Sequence, residues 1–138
     1  MESMTEYIPE KRHYTRIIFN KDNKVQAGIT VPDAPETKQN FSSSVLNLSE
    51  GGLQLSIKRE ELPEVQTGNT FILTSITGVP ELEALTDISM RIAWLMDNEY
   101  LEHVLLGMCF TSLSEEQRQT LRSFVTYHLE RTAEQEAG

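Results

Sequence analysis

From Ile17 onward, short runs of the chain place apolar residues at every second position. Val25, Ala27, Ile29 and Val31 alternate with polar or small neighbours, which is the mark of a strand with one face in a core and one in water. The same reading predicts strands over Ile17 to Phe19, Val25 to Val31, Phe41 to Leu48, Leu53 to Ile57, Thr70 to Ile76, Asp87 to Leu95 and Val104 to Phe110. Within them, Ile88, Met90, Ile92 and Trp94 line up on one face, as do Leu106, Met108 and Phe110. A polar stretch with two prolines, Pro32 to Asn40, reads as a loop, and Gly51 and Gly52 read as a turn between two strands of a hairpin. Six or so strands at this spacing predict a closed antiparallel β-barrel or a sandwich, because an antiparallel sheet must cover its inner face and limit its edges.

The period changes after Phe110. Ser114, followed by Glu115, Glu116 and Gln117, has the capping-box form, with acids where a helix N-terminus favours negative charge. Leu121, Phe124, Val125, His128 and Leu129 then fall at i, i+3, i+4, i+7 and i+8, one apolar stripe of a helix. The expected organisation is a flexible tail over residues 1–10, one domain over 11–131 with its C-terminal helix over about 114–131, and a frayed tail over 132–138.

Composition narrows the class of partner. No apolar run approaches the roughly 20 residues that cross a bilayer, and the polar N-terminus lacks a secretory signal. Together with the lone Cys109 this predicts a cytoplasmic protein without direct membrane insertion. The formal net charge of -9 disfavours a nucleic acid polymer as partner, since phosphate backbones reward a broad basic surface. A small anion needs only a local positive pocket, because charges beyond about 8 Å are largely screened at physiological salt. Such a cluster exists. Lys11, Arg12 and Arg16 fall within six residues that include His13 and no acid.

Arg12 and Arg16 stand in the spacing R-x-x-x-R before the first strand. A guanidinium fork takes two acceptors at once, either phosphate oxygens or the O6 and N7 of guanine. The alternative is a solvated basic junction whose surface ion pairs contribute about 0 to 1 kcal/mol each. In the segment Asn47 to Gly52, NLSEGG, the Asn47 amide and the Ser49 hydroxyl offer donors and acceptors, while Gly51 and Gly52 permit positive φ and close approach to bare backbone. A hairpin turn with no ligand has the same composition.

Taken in order, the two segments resemble the PilZ domain family of bacterial cyclic di-GMP receptors, whose pattern is R-x-x-x-R followed by [D/N]-x-S-x-x-G. Arg12 and Arg16 match the first element, and Asn47, Ser49 and Gly52 match the second. Gly107, Met108, Cys109 and Phe110, ahead of the capped helix, are similar to a recurrent ending of that family. The resemblance implies a six-stranded antiparallel barrel with a C-terminal helix and a flexible N-terminal tail. It further implies that Arg12 and Arg16 engage phosphate and guanine Hoogsteen edges, that Asn47 and Ser49 bind from the barrel side, and that the N-terminal segment folds down over the ligand. A basic residue at Lys11 is associated in the family with a stacked nucleotide pair, hence two nucleotides per chain. Trp94 resembles a tryptophan near the ligand in some members, although as the fourth member of an alternating apolar face it reads more simply as core.

The implied role is a receptor or adaptor that changes conformation and signals to a downstream protein, in control of motility, adhesion or biofilm formation. The competing expectation is a PilZ-like protein-interaction scaffold that binds no nucleotide. No catalytic residue, metal ligand or cofactor is expected. Cys109 with His103 or His128 lacks any nucleophile motif, the histidines lack metal-ligand spacing, and neither a P-loop nor GxGxxG occurs. The chain does not read as an enzyme.

Overall fold

A computed structural model of the chain describes residues 15–19, 24–32, 40–62, 64–98 and 100–137, with side chains described as far as residue 129. The expected tail over residues 1–10 and most of the Pro32 to Asn40 loop lie outside these residues. The strands are β1 (Ile17–Ile18), β2 (Gln26–Thr30), β3 (Asn40–Leu48), β4 (Gly52–Lys58), β5 (Thr70–Thr77), β6 (Ile88–Met96) and β7 (His103–Ser112), followed by one helix, α1 (Glu115–Ala137). Each expected strand is present, with ends displaced by a residue or two.

Six strands close into an antiparallel barrel in the order β3-β2-β5-β6-β7-β4, with β4 returning to β3. β1 lies outside that ring. It pairs with the last two residues of β3, Ile17 opposite Leu48 and Ile18 opposite Asn47, where β2 has already left the β3 edge. Inward alternation produces the core: Leu48, Leu53, Leu55, Phe71, Leu73, Ile88, Met90 and Leu106 are fully buried. Their removal from water is the main favourable term in folding.

Two bulges alter the alternation. The register shifts on β3 between Val45 and Asn47 and on β6 between Ile92 and Trp94. A bulge adds one residue to one strand, so side chains beyond it exchange faces. Val45 and Leu48 therefore both point inward, with Leu46 and Asn47 between them on the outer side. On β6 the change corrects the expectation that Trp94 shares the core face of Ile88, Met90 and Ile92. Those three are buried, whereas Trp94 emerges beyond the bulge 37% exposed.

α1 begins with the expected capping box. The Gln117 backbone N–H donates to Ser114 Oγ at 3.1 Å, and the Ser114 N–H donates to Gln117 Oε1 at 2.9 Å. Gln117 Nε2 also donates to the Thr86 carbonyl at 3.0 Å, which fixes the helix start to the barrel. Leu121, Phe124 and Val125 are buried, with the Phe124 ring 6.2 Å from that of Phe19. Leu129 departs from the expected stripe at 41% exposure; the helix meets β1 and the Pro80–Leu82 turn, and neither buries it. The helical backbone continues past the expected end at Arg131 to Ala137. Replacing Ser114 with Ala removes the cap and is expected to lower stability by about 1 kcal/mol, read as a fall of a few degrees in the thermal midpoint by circular dichroism. No helix among the described residues is long and apolar enough to cross a membrane.

Candidate ligand site

The pairing of β1 with the end of β3 brings two distant segments together. Ile18 stands opposite Asn47, so the residues just before β1 reach the outer side of β3. There Arg16 Nη1 donates to Asn47 Oδ1 at 2.7 Å, across 31 positions of sequence. Asn47 Nδ2 in turn donates to Gln54 Oε1 at 2.8 Å.

This contact opens a row across the outer face of the barrel. Asn47 pairs with Gln54, Gln54 with Gly107, and Gly107 with Trp94. Three strand intervals of about 4.8 Å separate Asn47 from Trp94, roughly 14 Å in all. The indole occupies the space a side chain on Gly107 would need: a Cβ there would overlap Nε1 and Cε2 and lie 2.7 Å from Cδ1. Glycine inside a strand commonly marks such a close approach. In the adjacent row, Arg91 pairs with Cys109 and Cys109 with Gly52, and Arg91 is exposed on the same outer side.

The β3–β4 turn fixes one end of the row. Ser49 is 2% exposed. Its Oγ accepts from the Gly51 N–H at 3.1 Å and lies 3.4 Å from the Gly52 carbonyl, while its own N–H donates to that carbonyl at 2.9 Å. The Ser49 hydroxyl is thus engaged within the turn. Glu50, the one acid of the turn, is drawn to Arg122 of α1 at 3.3 Å, which leaves the positive charge of Arg16 uncompensated by it. The freedom of Gly51 and Gly52 to take positive φ is not used: among the described glycines that conformation falls on Gly68 and Gly78. Gly52 is required by closeness instead, since a Cβ would overlap the Met108 carbonyl oxygen.

Of the expected site residues, Arg16, Asn47 and Trp94 stand on one face, Ser49, Gly51 and Gly52 shape the turn beside it, and Lys11 and Arg12 lie outside the described residues. The same face carries Gln54 and Arg91, and Gly107 seats the indole, none of which the two motifs mark. A glycine in the middle of a strand was the available signal for the last.

The sequence matches the family model described as PilZ domain over residues 10–127. The chain belongs to the PilZ domain family. Solved structures share the fold of this PilZ domain at low identity. The PilZ domain of YcgR from Escherichia coli, solved with c-di-GMP, is 17% identical with a TM-score of 0.67, over 92% of this chain and 97% of that one. The MrkH–c-di-GMP complex from K. pneumonia is 12% identical with a TM-score of 0.67, over 90% of this chain and 55% of that one. The Bacillus subtilis inhibitor of motility MotI/DgrA is 16% identical with a TM-score of 0.60, over 89% of this chain and 52% of that one. This PilZ domain thus spans about half of MrkH and of MotI. No curated protein sequence matches it closely enough to carry a comparison.

Proposed function

We propose that this PilZ domain is a receptor for cyclic di-GMP, without enzymatic activity of its own, that takes the nucleotide as a ligand on the outer barrel face. The observation that carries the reading is the Arg16 to Asn47 hydrogen bond at 2.7 Å, which joins the two halves of the family's binding pattern at one place. Arg16 and Arg12 hold phosphate or a guanine Hoogsteen edge, Asn47 reads the ligand from the barrel side, Trp94 bounds it, and Ser49, Gly51 and Gly52 hold Asn47 in position through the turn. Lys11 supplies charge for a second, stacked nucleotide. Support comes from the family and from YcgR and MrkH, each solved with c-di-GMP.

Occupancy draws the N-terminal segment onto the barrel and changes the surface offered to a downstream protein. A ligand shifts such an equilibrium only through its differential affinity for the two arrangements; in this reading Lys11 and Arg12 supply that difference, ahead of Arg16, which already bonds Asn47. Control of motility, adhesion or biofilm formation in the cytoplasm is the setting this reading implies.

Titration calorimetry with cyclic di-GMP is the direct test. The expected result is saturable binding of two nucleotides per chain, weakened roughly tenfold (about 1.5 kcal/mol) in Arg16→Ala by loss of a charged hydrogen-bonding group. A stoichiometry near one contradicts the role given to Lys11. Absence of heat with folded protein leaves the scaffold that binds no nucleotide.

A further inference from the structure

The outer-face row has a hydrogen-bond polarity that begins at Arg16. A guanidinium carries donors only, so its contact at 2.7 Å turns Asn47 Oδ1 toward Arg16 and leaves Nδ2 toward Gln54. An amide NH2 has only donors, so Gln54 must present Oε1 to it, at 2.8 Å. The Gln54 Nε2 group is then the outward end of the chain of amides. Turning either amide over sets donor against donor. An isolated glutamine on a strand reads acceptors and donors alike, because its amide can flip. Gln54 has lost that freedom to Asn47.

Its position gives the fixed donor something to do. Gln54 is half-buried on β4, with Asn47 opposite on one side and Gly107 opposite on the other. Gly107 has no side chain to cover it, and the Trp94 indole lies beyond. The Nε2 donors have no hydrogen bond to an acceptor among the described residues, on a strand that runs between Asn47, which Arg16 holds, and Gly107, against which the indole lies.

Resting on the reading that a cyclic dinucleotide binds this face, we propose that Gln54 is a specificity-determining residue that selects guanine over adenine. The Hoogsteen edge of guanine offers two acceptors, N7 and O6, whereas that of adenine offers the N7 acceptor beside an N6 donor. With Oε1 turned to Asn47 rather than to the base, Gln54 offers the base its donor alone; set against O6, that donor matches guanine and meets N–H with N–H in adenine. Arg16 is thereby a positioning residue for Gln54, through Asn47, as well as a contact for the ligand.

Two substitutions separate this from a structural role. Gln54→Glu keeps the length and the acceptor for Asn47 Nδ2 but has no donor; its added charge weakens anionic ligands alike, so the affinity ratio is the readout. Gln54→Met removes the donor without adding charge. Calorimetry with cyclic di-GMP and cyclic di-AMP is expected to show wild-type protein preferring the guanine ligand and both variants losing that preference by roughly five- to tenfold, the scale of one lost hydrogen bond to a base. Thermal midpoints near wild type confirm that both variants are folded. A ratio unchanged in both variants overturns the role of Gln54 while the receptor reading stands, as does a wild type that binds both ligands equally. A wild type that binds neither overturns both.

Discussion

Gly52→Ala is expected to cost about 3 kcal/mol or more of stability, at the upper end of what inserting a methyl into a packed site does. The added Cβ would overlap the Met108 carbonyl oxygen and lie 3.0 Å from its carbonyl carbon and 3.2 Å from Cys109 Cα. All three atoms are backbone, so no rotamer change relieves the overlap. Nor can β7 retreat as a unit, because β4 pairs with it along its whole length, from Gly52 opposite Cys109 to Lys58 opposite His103. On the other side, the Gly52 carbonyl receives the Ser49 N–H at 2.9 Å, and the neighbouring Gly51 carbonyl receives that of Phe110 at 2.9 Å. The residue is held between the turn and the next strand. Urea unfolding should show the midpoint falling by about 1 M or more at an m-value of 1 to 3 kcal/mol/M. A midpoint at the wild-type value would show that the strands separate freely there.

This glycine shows what the sequence can carry. The motif placed it at the turn, but the reason for it was legible only in three dimensions, because the atom it must avoid belongs to residue 108. The strands and the helix start were readable because their signals are local: period two along each strand, and Ser114 with Gln117 within one helical turn. A bulge hides from the same reading. Ile88, Met90, Ile92 and Trp94 keep perfect alternation in sequence, yet the inserted position after Ile92 sends Trp94 outward. The place of β1 outside the ring depends on which edge of β3 is free, a nonlocal fact. Arg16 and Asn47 were legible together through the order of the two motifs. Gln54 was not, since a polar residue between Leu53 and Leu55 is what any half-buried strand carries.

The consequence of the second bulge can be measured because Trp94 is the only tryptophan in the chain. In Gly107→Ala the new methyl would overlap the indole at Nε1 and Cε2, and here the obstacle is a side chain on the surface, free to swing away. The fold should therefore survive, with a loss of about 1 kcal/mol or less, as for exposed sites that can adjust. The indole, 37% exposed in its seat, becomes more hydrated, and its fluorescence emission should shift to longer wavelength. If Trp94 supplies the far wall of the nucleotide site, losing its set position removes a stacking surface. Stacking of a base on an aromatic side chain is worth about 1 to 3 kcal/mol, so cyclic di-GMP affinity should fall by roughly 30-fold at the middle of that range. Trp94→Ala should lose a similar amount, and combining it with Gly107→Ala should add little, because both changes remove one contact. A red-shifted Gly107→Ala that binds as tightly as wild type would place the ligand nearer Arg16 and leave Trp94 as the cover of a glycine alone.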